Sequence, residues 1–157
     1  MSDWLLRPRV EANLLNPALI GMSIAHAAAG YREGARGEMP WPVAFLIPPL
    51  ILHRPTRDAL PSNTRTHFAA WVSRHPLLVA GYPRRAQVLV EPTREALRLA
   101  IRAGRLNVAN GGIVPAPLRT PPPGEVRQLL NASRLVGRWL ARLDQPSSSF
   151  ALLGVAP

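Results

Sequence analysis

Four arginines, Arg94, Arg98, Arg102 and Arg105, recur at intervals of four, four and three in the stretch TREALRLAIRAGR. On a helix that spacing gathers guanidinium groups into one stripe opposite Leu97 and Ile101. A guanidinium is a permanent planar cation with a fork of N–H donors, suited to phosphates, guanine edges and carboxylates. Nucleic acid and an acidic protein partner are therefore both candidate ligands. A solvated or salt-bridged helix face has the same spacing.

The remaining reactive side chains point away from catalysis. His26, His53, His67 and His75 form no HExxH pair, and no carboxylate stands at a matching ligand distance. His26 lies among alanines and His53 follows an apolar run, so both read as core or boundary residues. The nine acidic residues are scattered. Glu91 and Glu95, beside Arg94 and Arg98, read as surface pairs rather than an acid–base couple. Ser147, Ser148 and Ser149 lie in a polar stretch without a glycine-rich nucleophile elbow, and no phosphate-cradling glycine motif is present. The chain has no cysteine, which removes disulfides, thiolate metal sites and thiol nucleophiles together and suits a reducing cytoplasm. The expectation is a protein without catalytic site, metal or cofactor.

These residues must be carried by a fold, and the sequence outlines one. The 157 residues suit a single domain, and 47% apolar against 18% charged is a globular balance. All 19 basic residues are arginine, and the net charge of +10 favours polyanionic or acidic partners. The apolar run Val43 to Leu52 is cut by Pro48-Pro49, where a helix must start, stop or kink. It falls short of the about 20 apolar residues that span a bilayer. The start, MSDWLLRPRVEANLLN, lacks the charged lead and continuous apolar core of a signal peptide. A cytoplasmic protein without a membrane partner is expected.

Residues 1–15 read as an irregular lead-in, with Trp4, Leu5 and Leu6 as an anchor. Asn16-Pro17 caps a helix running to about Arg32, whose AHAAAG centre permits close approach of another helix. Ser62 or Asn63 caps a second helix over 64–74, and a helix is favoured between Leu77 and Val90. Thr93 caps a third through Arg102, with Ala96, Leu97, Ala100 and Ile101 on one face and Gly104 as its stop. Asn110-Gly111 between short apolar pieces signals a β-hairpin. Helices followed by a hairpin is the order of a winged helix-turn-helix.

A proline-rich connector, 116–124, leads to a helix over 125–143, where Gly137 marks a close helix contact. The tail FALLGVAP offers Phe150, Leu152, Leu153 and Val155, which either fold back or dock into a partner subunit. Trp41, Trp71 and Trp139 are assigned to the core. The fold class is thus mainly α with a small β-hairpin: a winged-helix-like core over 16–115, the connector, and a C-terminal helix and apolar docking tail over 125–157.

Certain stretches are familiar. Asn16-Pro17-Ala18, Phe45-Leu46-Ile47-Pro48-Pro49-Leu50-Ile51-Leu52-His53, and Arg57 with Leu60-Pro61 occur in that order. Trp71, Thr93-Arg94-Glu95-Ala96-Leu97, Gly137-Arg138-Trp139 and the closing Leu153-Gly154-Val155-Ala156-Pro157 follow. Together they resemble the small middle component of bacterial three-component ABC systems, which include Lamassu-type anti-phage defence. The chain departs from that pattern at Pro48-Pro49, where members often carry a longer apolar stretch, and at Ala156, where a basic residue is usual. The resemblance implies a non-catalytic adaptor between an SMC- or Rad50-like ABC ATPase and an effector, commonly a nuclease, with DNA met through the complex. The arginine stripe and hairpin keep a second reading open, a free-standing winged-helix DNA-binding regulator.

Overall fold

The computed structural model describes residues 15–35 and 37–156. The Trp4-Leu5-Leu6 anchor lies outside them. The element order is α1 (Pro17–Gly34), β1 (Met39–Pro40), a 3-10 helix (Trp41–Leu46), α2 (Ile47–Ile51), α3 (Arg54–Asp58), α4 (Phe68–Arg74), α5 (Pro76–Ala80), α6 (Tyr82–Val88), α7 (Val90–Arg102), β2 (Leu106–Ala109), β3 (Gly112–Pro115), α8 (Glu125–Leu140) and α9 (Pro146–Leu153). The protein is mainly helical with one small antiparallel sheet, as its sequence predicts. Helix, strand, helices, then a hairpin whose second strand lies centrally is a winged-helix-like order.

Helix α1 is the axis of the domain. Asn16 Oδ1 accepts from the Ala18 amide at 2.9 Å, and Pro17 occupies the first turn, as the sequence predicts. Helix α8 packs along it so closely that main chains touch. A Cβ on Gly137 would overlap the Ala27 carbonyl, and one on Gly30 would overlap the Arg134 carbonyl. A Cβ on Gly34 would stand 2.9 Å from the Arg138 carbonyl oxygen. Glycine costs helix stability in isolation, and here it is the residue that lets two helices meet.

The proline-cut run is as central as its composition suggests. Val43, Ala44, Leu46, Ile47, Leu50 and Ile51 are all buried. Pro48 and Pro49 do not break α2; they fill its first turn, where an amide would lack a partner anyway. Tyr82 of α6 donates its hydroxyl to the Leu46 carbonyl at 2.9 Å, fixing the end of the 3-10 helix. Its burial holds that phenol well above the ordinary tyrosine range, so it stays a donor.

Three local expectations are corrected. The second helix begins at Phe68 rather than residue 64, with His67 Nδ1 accepting from the Ala69 amide at 3.3 Å. Asn63 instead closes a separate turn onto Arg65, while the Thr64 and Thr66 carbonyls accept from Arg142 and the Trp139 indole at 2.6 Å each. Those long-range bonds hold the segment open against helix formation. Helix α7 begins at Val90, so Thr93 is inside it and fully buried rather than capping. Finally, a third strand joins the hairpin: β1 pairs with β3 through Met39–Ile113 and Pro40–Gly112, giving the order β1-β3-β2.

Candidate functional site

The arginine stripe lies on α7 and the turn that leaves it. Arg94, Arg98, Arg102 and Arg105 are all exposed. Arg94 pairs with Glu91 one turn earlier, a surface pair of the kind the spacing predicts. Among the described residues, Arg98, Arg102 and Arg105 have no carboxylate partner. Gly104 takes φ +68°, which turns the chain so that Arg105 leads into β2, and the Arg105 carbonyl accepts from the Ala116 amide at 2.9 Å.

The buried face of α7 keeps the expected Ala96 and Ala100 but not Ile101. Pro92, Thr93, Ala96 and Ala100 face inward, while Ile101 and Leu99 are 43% and 44% exposed. Small side chains win the interior because α1 comes very close: a Cβ on Gly21 would lie 3.3 Å from Ala100 Cβ. Leu97 packs at the margin of the core. The outer surface of α7 therefore mixes guanidinium groups with two large aliphatic side chains.

The hairpin beside it is built as its sequence indicates. Asn110 at φ 53° and Gly111 at φ 77° form the tight turn between β2 and β3. Val108 on β2 is 43% exposed. The Gly111 carbonyl at the tip accepts from the Trp41 amide at 2.9 Å. Trp41 is expected in the core, but half of it is solvent-exposed, edge-on to Phe45 at 6.2 Å. The third strand causes this: β1 carries Trp41 past the hairpin tip and away from the interior. Its exposure depends on a two-residue strand that has no sequence signal of its own. A half-exposed tryptophan at a hairpin tip is a contact residue by type.

Trp71 and Trp139 do lie inside. Trp139 meets Phe68 edge-on at 4.8 Å and Trp71 at 5.5 Å, while Trp71 stacks on His75 at 4.7 Å. The Trp71 indole donates to the Ala59 carbonyl at 2.8 Å.

The C-terminal tail is helical and seated on its own domain. Pro146 starts α9 and Gly154 at φ 73° ends it. Phe150 and Leu153 are buried in the core, while Leu152 and Val155 pack against it in part.

Two further polar sites are buried in part. Arg85 reaches the Leu78 carbonyl at 3.1 Å and the Thr56 hydroxyl at 3.3 Å, which also meets His53 Nδ1 at 2.7 Å. Burial, then the Arg85 charge, lowers the His53 pKa below the usual histidine value. Burial, then the charge of Arg134, does the same to His26 on α1. Arg134 itself is bound to Glu33, with Nε at 2.8 Å. Among the described residues, no group of three His, Asp or Glu side chains converges as a metal site, and no helix is long and apolar enough to cross a membrane.

The family model described as ABC-three component (ABC-3C) system Middle Component 3 matches residues 4–157. No curated protein and no solved structure matches the chain.

Proposed function

The chain belongs to the Middle Component 3 family of ABC-three component systems, and from that premise we propose that it is a non-catalytic adaptor. It links an SMC- or Rad50-like ABC ATPase to an effector, a nuclease, within a cytoplasmic anti-phage defence complex of the Lamassu type. Movement of the ATPase on DNA is passed through this chain to hold or release the effector.

The observation that carries the reading is the family match over nearly the whole chain. The surface of α7 and the hairpin supports it. Arg98, Arg102 and Arg105 stand beside exposed Leu99, Ile101 and Val108, with Trp41 at the hairpin tip. Phosphate recognition needs the cations but gains little from the aliphatic groups, whereas a protein interface uses both. Co-expression of the three components followed by native mass measurement tests the proposal. A stable assembly containing this chain and the ATPase is expected; recovery of the chain alone contradicts it.

The winged-helix-like order and the exposed stripe support a second reading, a free-standing DNA-binding regulator. It requires a homodimer whose DNA affinity falls steeply with salt. Arg98→Glu with Arg102→Glu abolishes binding under this reading. Unchanged fluorescence anisotropy of labelled duplex DNA with that double variant eliminates it.

A further inference from the structure

Helix α1, the C-terminal half of α7 and the connector after β3 enclose a groove of about 420 Å³. Its floor carries small buried residues, among them Gly21, Ala25 and Ala100. Met22 of α1 and Leu99 of α7 line its walls, each more than two-fifths exposed. Small floor residues below exposed aliphatic walls leave room for side chains supplied from outside. The volume falls in the range of sites that bury several apolar groups.

The charge of the groove is one-sided. Arg105 and Arg119 line it, and among the described residues no carboxylate does. His26, also in the lining, is pushed towards its neutral form. Elsewhere the chain supplies acids to its arginines, as in Arg32–Glu38 at 2.7 Å and Arg134 with Glu33. Among the described residues, Arg105 and Arg119 receive none.

We infer that this groove receives an amphipathic acidic segment of a partner subunit. The segment sets its apolar side chains on the small-residue floor and its carboxylates against Arg105 and Arg119. This rests on the adaptor reading and names the chemistry of one of its contacts. A second copy of the chain fits poorly, since each copy carries +10 and brings like charge to the rim. A nucleic acid satisfies the rim but leaves the apolar floor uncovered.

The test uses the complete chain with the purified components of its own system. Wild type is compared with Leu99→Asp and with Arg105→Glu/Arg119→Glu for affinity at low and high salt. Leu99→Asp is expected to weaken binding at least about tenfold. The charge reversal is expected to weaken it at low salt and to flatten its salt dependence. The melting temperature of each variant checks that the fold survives. If wild type binds and both variants bind equally well, the groove inference falls and the adaptor reading stands. If wild type binds no component, both fall. A deletion of residues 1–14 covers the remaining occupant. If that deletion and Leu99→Asp lower the melting temperature alike, without changing partner affinity, the groove houses the chain's own N-terminal segment and the inference is overturned.

Discussion

Gly137 shows how a residue that weakens its own helix can be required by the fold. Its missing Cβ is the space taken by the Ala27 carbonyl. Gly137→Ala forces main chains apart and is expected to cost about 3 kcal/mol or to prevent folding, the upper end of overpacking effects. Gly37, with open space around it and an ordinary φ, is the control: Gly37→Ala is expected to be neutral or slightly stabilising in denaturant unfolding. His26 gives a second residue-scale prediction. Its folded pKa is depressed below that of the unfolded chain, so the unfolded state binds its proton first. The stability it contributes is complete above about pH 6.5 and is lost as pH falls towards its lower folded value. Thermal unfolding across that window is expected to show a smaller pH-dependent loss for His26→Gln than for wild type. The close approach at Gly137 and the burial of His26 were both legible in the sequence. The exposure of Trp41 was not, because nothing in Met39-Pro40 announces a strand.

Three local signals hold in the structure, while boundaries and faces decided by distant partners depart from their sequence pattern. The Asn16 cap, the Gly104 stop and the Asn110-Gly111 turn each rest on backbone chemistry within a few residues. The start of α4 depends instead on where Arg142 and Trp139 donate, more than seventy residues away. The inward face of α7 depends on Gly21 of α1, which admits alanine and excludes isoleucine. Asn110 and Gly111 sit in the left-handed region, where an ordinary side chain costs about 1 kcal/mol or more. Gly111→Val is therefore expected to destabilise by at least that amount in chemical denaturation. The tail carries another element-scale prediction. Phe150 and Leu153 are buried, each contributing about 1.5–3 kcal/mol by area. Deletion of residues 147–157 is expected to lower the unfolding midpoint of the isolated chain; an unchanged midpoint contradicts the packing of α9.

At the scale of the whole molecule, the fold class followed from helix periodicity and a hairpin signal, and the charge of +10 from counting. The use of that charge did not, because an arginine stripe has one sequence pattern whether it meets phosphate, carboxylate or water. The structure adds the aliphatic neighbours of the stripe and the cationic apolar groove at its end. Under the adaptor proposal both are surfaces for another protein, on a member of the Middle Component 3 family. The most direct measurement of the adaptor role is an omission experiment. The ATPase component is tagged and purified from cells expressing the effector, with and without this chain. The account predicts that the effector is recovered only when this chain is present. Equal recovery of the effector in its absence would contradict the adaptor role.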